Sequence, residues 1–340
     1  MWDLARLRAL HAVREHGSVG AAAEALGFTP SAVSQQVAKL ERDTGTTLLE
    51  RRGRGVVLTE AADLLADTAA RLLGLLEEAE VALEERRGRP GGLLTVAAFP
   101  TAARGLLPGV LAELGRLYPA LELRLVEEDP HRSVGLVARG MLDLVVAHDW
   151  DIAPLPAPEP LRRVALGVDR CDVLLPAGHP LAAREVLTRD DLGSVRWICQ
   201  PPGTVCHDWL MRTLRAAGQE PDLAHLVAEF ETQLALVAEG LGVAVVPRLG
   251  RGPLPPGVVV RPLRPAPVRN LFALWRAGAA RRPAITETVR VLRARYRRLE
   301  AAGREGGVAG REGGVAGREG GVAETREAGV EGGRPVGPGV

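Results

Sequence analysis

Leu4, Leu7 and Leu10 recur at helical spacing near the start of the chain, and Gly17 ends that pattern. Ser18 then stands as the N-cap of a short alanine-rich helix, GAAAEAL, which Gly27 closes. Thr29 caps a third helix, Pro30 sits well at its first position, and the pattern runs to about Thr44, before Gly45. Two helices joined by a short glycine-containing turn make a helix-turn-helix. In the third helix Val33, Val37 and Leu40 share the inward side. Ser31, Gln35 and Arg42 point roughly the opposite way, with Ser34 and Lys39 on the flanks. The stretch TTLLERRGRGVVLT reads as two short strands around a Gly-Arg loop, a wing carrying Arg51, Arg52 and Arg54.

Residues 60–87 read as one long helix, broken by Arg89-Pro90-Gly91-Gly92. Leu58, Ala62, Leu65, Ala69, Leu72, Leu76, Ala79 and Leu83 alternate steps of four and three, the seam of a coiled coil. Glu77, Glu78, Glu80, Glu84 and Glu85 flank it. Pairing of two copies through Leu65, Leu72, Leu76 and Leu83 is the expectation; packing of the helix on its own core is the competing reading.

From residue 93 to about 299 apolar runs alternate with helical patterns. LLTVAAF, LELRLVE and LDLVVAH are strands separated by helices at about 101–117 and 133–140, a βαβαβ order that implies a parallel sheet. A second subdomain follows: strand CDVLLP, strand WICQ, helix 204–217, strand LAHLVAEF, helix 231–239 and strand GVAVVP. Residues 258–275 return to the first, and helix 283–299 closes it. The tail repeats GREGGVA in tandem and has no aromatic residue, so it lacks the surface to offset its chain entropy. The expected architecture is therefore α/β with an all-α-type winged helix-turn-helix at 1–59, a linker and dimerisation helix at 60–89, a two-lobed α/β domain at 90–300, and a disordered Gly-rich tail at 301–340.

Composition narrows the function. Of 43 cationic residues only Lys39 is lysine, so the arginine count reflects a general bias. The net charge of +1 excludes a generally basic nucleic-acid binder, and any such contact must be local. Three cysteines make no disulfide framework and fit a reducing compartment. No apolar run approaches the ~18 residues of a membrane span, and the charged, helical start lacks a signal-peptide layout. A cytoplasmic protein without a membrane partner is expected.

The polar face of the third helix suits DNA. Glutamine pairs with an adenine edge through donor and acceptor together, serine reaches bases or phosphates, and lysine and arginine suit phosphates. The wing arginines suit phosphates or a minor groove. The candidate DNA-binding set is Ser18, Thr29, Ser31, Ser34, Gln35, Lys39, Arg42, Arg51, Arg52 and Arg54.

The run AAAEALGFTPSAVSQQVAKLERDTGTTLLERRGRGVVLT closely resembles the DNA-binding segment of LysR-type transcriptional regulators. The AAAEAL helix, the SAVSQQ start, the KLE run, the G-x-x-L-L-E-R wing strand and the V-x-LT exit occur in order. Leu49 stands where Phe is more usual and Ala62 where Gly often follows. The resemblance continues more weakly to about residue 299. It implies dimers paired through the linker helix, often tetramers, and an effector domain of periplasmic-binding-protein type. A double-stranded DNA operator and a small anionic or polar effector are the implied partners, with RNA polymerase a further one.

Ligands in open α/β sheets bind beyond the carboxyl ends of strands, near helix N-termini. That rule nominates Phe99, Pro100, Thr101 and Ala102, then His148, then Gln200, Gly203 and Thr204, and finally Glu231 and Thr232. Simple N-capping accounts for Thr101, Thr204 and Thr232 equally well. Cys199, Cys206 and His207 lie near the expected cleft but lack metal-site spacing, so no metal or cofactor is expected. Some members of the family sense peroxide through a cysteine pair in this lobe, and a helix N-terminus would favour a reactive Cys206. GLGVAV lacks the third glycine of a dinucleotide fingerprint, and no nucleophile elbow is evident. The leading expectation is a transcriptional regulator that responds to a small molecule. The alternatives are a ligand-binding or thiol-sensing protein without DNA binding and, last, an enzyme.

Overall fold

The computed structural model describes residues 3–52, 55–193 and 195–312, without the side chains of 51, 52, 55, 77, 80 and 303–312. Helices α1 (Leu4–His16), α2 (Val19–Leu26) and α3 (Pro30–Thr44) begin the chain, and the antiparallel hairpin of β1 (Leu49–Arg52) and β2 (Gly55–Leu58) follows. Each helix starts where a capping side chain permits. Ser18 accepts from the Ala21 N–H and Thr29 from that of Ala32, while Gly17, Gly27 and Gly45 end the helices in the left-handed region. Leu10, Val13, Ala22, Val33, Val37, Leu40 and Leu48 form the core.

The long helix α4 (Glu60–Arg87) corrects part of the expected seam. Its first turns close that core with Ala62, Leu65, Ala66 and Ala69, so Leu65 is buried by its own chain. Leu72, Leu76 and Leu83 are exposed, together with Leu64 and Leu75. A strict 3.5-residue seam drifts around a straight 3.6-residue helix, so its early positions fall on the side that packs against α1.

The second domain opens with β3 (Gly92–Ala98), α5 (Pro100–Gly105) and α6 (Leu107–Leu117). One helix was expected here. Pro108 has no N–H to donate, and the break falls at Leu106. Then come β4 (Leu121–Glu127), α7 (Pro130–Ala138), β5 (Leu144–Trp150) and the long β6 (Leu161–Pro176). The second lobe adds β7 (Leu187–Thr188), β8 (Arg196–Cys199), α8 (Val205–Ala216), β9 (Asp222–Leu226), α9 (Phe230–Ala238), β10 (Ala244–Pro247) and β11 (Val258–Arg261). The short β12 (Leu263–Arg264) pairs with β7. Strand β13 (Val268–Arg276) returns to the first lobe, where β3 pairs in parallel with both β4 and β5. β13 is antiparallel to β5 and β6.

β6 belongs to both lobes. Its first half pairs with β13, and its second half with β10 and β11. Helix α10 (Pro283–Glu312) closes the order. It continues through the first GREGGVA copy, which corrects the expectation of no regular structure from residue 301. An existing helix gains one hydrogen bond per added residue without a new nucleation cost. Residues 313–340 of the expected disordered tail lie outside the described residues, and Leu299–Val340 forms a unit of its own.

Candidate DNA-reading face and interlobe cavity

Val33, Val37 and Leu40 point into the core, which leaves Ser31, Ser34, Gln35, Lys39 and Arg42 exposed on one face of α3. The side chains of Ser34, Gln35, Lys39 and Arg42 make no hydrogen bond or ion pair with other described residues. Ser31 shares a hydrogen bond of 2.9 Å with Thr29, and Ser18 and Thr29 each accept from a backbone N–H as caps. Glu41, which sequence reasoning missed, fixes the wing to this helix: its Oε1 accepts from the Leu48 and Leu49 N–H groups at 2.8 and 3.1 Å. The side chains of Arg51 and Arg52, and Arg54 entirely, lie outside the described residues.

The second site is a cavity of about 230 Å³ between the two lobes. The carboxyl ends of β3, β4 and β5 supply Phe99, Glu127 and His148; β13 supplies Arg269; the second lobe supplies Gln200, Thr204, Cys206 and Phe230. Arg269 organises it. The residue is fully buried; its Nε and Nη2 donate to Asp169 Oδ2 at 3.1 and 2.5 Å, and Nη2 also donates to Thr101 Oγ1 at 2.9 Å. Nη1 has no partner. Asp169 uses its other oxygen to accept from the Leu249 N–H at 3.0 Å.

His148 is buried, with Phe99 edge-on to its ring at 4.5 Å and no partner on Nδ1. Burial holds its pKa well below the ordinary histidine value, with the Arg269 charge acting the same way, so the ring is neutral. Asp129 caps α7 by accepting from the His131 N–H at 2.9 Å. Burial raises its pKa, against hydrogen bonds from the N–H groups of His131 and Val205. Beside the cavity His131 Nε2 lies 3.3 Å from Asp208 Oδ2, and Arg104 forms an ion pair with Glu231 at 3.0 Å. Gly105 lets α5 approach the Gly250 backbone: a Cβ there would lie 2.6 Å from the Gly250 Cα.

Six nominated residues line this cavity: Phe99, Pro100, Thr101, His148, Gln200 and Thr204. Thr204 spends its hydroxyl on the Pro201 carbonyl and the His207 N–H. Four nominated residues do not line it. Ala102 is buried in the core, and Gly203 forms the left-handed turn before α8. Glu231 turns to Arg104 and Thr232 to Glu229, because α9 starts one residue earlier and presents Phe230.

The thiols are held in their protonated form. Burial pushes Cys199 up to about 11 and Cys206 up to about 12, far from the thiolate that reacts with peroxides. Among the described residues no cluster of His, Cys, Asp and Glu is able to hold a metal ion, and no helix is long and apolar enough to cross a membrane.

A winged helix-turn-helix joined by a long helix to a two-lobed domain with a cavity between its lobes defines a DNA-binding regulator that senses a ligand. Residues 4–63 match the model for the bacterial regulatory helix-turn-helix protein, lysR family, and residues 87–297 match that for the LysR substrate binding domain. The chain belongs to the LysR family of transcriptional regulators, which bind DNA operators and small-molecule effectors, act as oligomers and are not enzymes. A probable HTH-type transcriptional regulator LrrA of Synechococcus elongatus is 31% identical over 303 residues, 88% of this chain and 100% of that protein. A probable hydrogen peroxide-inducible genes activator of Streptomyces viridosporus is 33% identical over 308 residues, 87% of this chain and 95% of the relative. Full-length OxyR from Pseudomonas aeruginosa superposes with a TM-score of 0.59 at 25% identity, covering 86% of this chain and 95% of that one.

Proposed function

We propose that this regulator reads its operator through Ser31, Ser34, Gln35, Lys39 and Arg42, with the wing arginines on the backbone, and that the interlobe cavity holds its effector. It acts in the cytoplasm. The observation that carries the effector reading is Arg269, a buried cation with one nitrogen unpartnered at the wall of the interlobe cavity. A buried donor without a partner is costly, and a ligand acceptor relieves that cost. Pairing of two copies uses the exposed Leu72, Leu75, Leu76 and Leu83 on α4, and Leu65 stays in its own core. Two copies are needed for two recognition helices to read two half-sites.

The raised thiol pKa values favour reversible ligand binding over thiol oxidation as the sensing event. Effector binding acts by its different affinity for two arrangements of the lobes. Thr101→Val removes the hydroxyl that bridges Arg269 to the cavity. It is expected to leave operator affinity within about threefold while abolishing the effector's shift. Gel-shift titrations on the DNA beside the protein's own gene, with and without extracts of small metabolites, check this. A response retained in full by Thr101→Val removes the cavity from the mechanism.

A further inference from the structure

The cavity carries two polar faces of opposite character. One is a set of donors. Arg269 Nη1 is unpartnered inside a fully buried residue, and Thr101 accepts from Nη2, which leaves its own proton to donate. His148 Nδ1, also buried, has no partner and joins this face in the tautomer that carries its proton there. The other face is acidic. Glu127, Glu128 and Asp129 follow one another at the carboxyl end of β4. Glu127 is exposed at the rim, and its side chain makes no hydrogen bond or ion pair with any other described residue. Glu128 lies 3.7 Å from Arg132, and Asp129 caps α7.

The charge on Arg269 is already matched by Asp169, so it does not neutralise the acidic face. A simple anion would satisfy Nη1 while meeting the unpaired Glu127 carboxylate. A simple cation would satisfy Glu127 and leave Nη1 bare. A molecule bearing both charges satisfies both faces. The volume, about 230 Å³, is below the roughly 300–1,000 Å³ of sites for drug-sized ligands. Phe99, Pro100, Ala228 and Phe230 complete the lining with apolar surface.

We propose that the effector is a small zwitterion of α-amino-acid type. Its carboxylate lies on Arg269 Nη1 and Thr101, its ammonium faces Glu127 and Asp129, and an uncharged side chain lies against Phe99 and Phe230. This rests on the cavity being the effector site. It adds that an amine is required, where the sequence suggested an anionic or polar ligand alone.

The test uses the full chain. Thermal shift and calorimetry are run with the standard L-amino acids and, for each that binds, its deaminated carboxylic acid and its decarboxylated amine. At least one amino acid is expected to raise the melting temperature by several degrees. Both single-charge analogues are expected to bind about ten- to a hundredfold more weakly. Glu127→Gln should bring the affinity for the amino acid down to that for its deaminated analogue, and circular dichroism of the unliganded variant reports its fold. The proposal is overturned if no amino acid binds, if the deaminated acid binds as tightly as its parent, or if Glu127→Gln binds the amino acid unchanged. A deaminated acid that binds tightly and is lost in Thr101→Val leaves the cavity standing and removes only the amine requirement. An amino acid that binds equally well to Thr101→Val and Glu127→Gln removes the cavity itself.

Discussion

The polar face of α3 and the interlobe cavity both offer hydrogen-bonding groups to a partner, but they hold them in opposite ways. On α3 the groups come from one short segment and stand in water, and apart from the Ser31–Thr29 hydrogen bond their side chains are unpaired among the described residues. In the cavity they come from distant parts of the chain: Arg269 reaches Thr101 across 168 positions and Asp169 across 100, and all three are buried. An exposed reading face can change without cost to the fold. A buried one is part of the fold, so its chemistry and its stability cannot be separated.

The largest expected effect tests the buried side. Arg269→Met leaves Asp169 in the interior without its cation, and removing one partner of a buried pair costs about 3–5 kcal/mol. Urea unfolding of the variant should show that loss in the two-lobed domain, while the N-terminal domain keeps its transition. Unchanged unfolding would mean that the pair is not integral to the fold. Gln35→Ala tests the exposed side. It should leave stability alone and weaken operator binding by about 1–3 kcal/mol, with sequence preference relaxed at one position in each half-site. Equal losses on operator and random DNA would contradict a base-reading role.

A pH titration sharpens the contrast at smaller amplitude. Burial keeps His148 neutral in the folded chain, whereas the unfolded chain takes up a proton below the ordinary value of 6.5. Its contribution to stability is therefore present in full above that value and falls as the pH drops beneath it, by about 1.4 kcal/mol per pH unit for one proton. Lowered values at His11 and His16 add to the same acid side. His148→Gln should flatten the stability profile between pH 6.5 and 5 by about one proton. A profile as steep as that of the parent would place the protonation elsewhere. The smallest effect is Ser18→Ala, which removes one cap and should cost about 1 kcal/mol of N-terminal domain stability.

What sequence reasoning could reach follows the same division. Helices α1, α2 and α3 are legible because their caps and apolar spacing lie within a few residues of one another. The polar face then follows from periodicity alone. Six cavity residues were legible because strand ends and helix starts are local features. Arg269 was not: it lies within β13 in a chain where nearly every cation is arginine, and only the folded sheet places it opposite Thr101. Glu127 is within reach of the strand-end rule, because it closes β4 as Phe99 follows β3. Leu65 is buried and Leu75 exposed, against the expected seam, because the packing of α4 on α1 is a tertiary fact that no heptad count contains.

The shared strands of the two lobes carry a consequence for how such a protein can change over generations. The chain leaves the first lobe after Arg170 and comes back at Val268, and these two residues are partners on adjacent strands. The backbone closes the loop beside them, with the Cys171 N–H donating to the Pro267 carbonyl at 3.0 Å. In genetic terms the second lobe is a single insertion whose two ends meet at one rung of a ladder. Two crossovers would exchange it whole, and the ladder bonds at the junction would re-form whatever sequence lay between. The side-chain contacts such an exchange would have to match include Trp150 on Trp209, stacked at 4.4 Å, and the Arg104–Glu231 ion pair at 3.0 Å across the join. A new ligand specificity can thus be grafted onto half of the sensor while the domain that reads DNA is inherited unaltered.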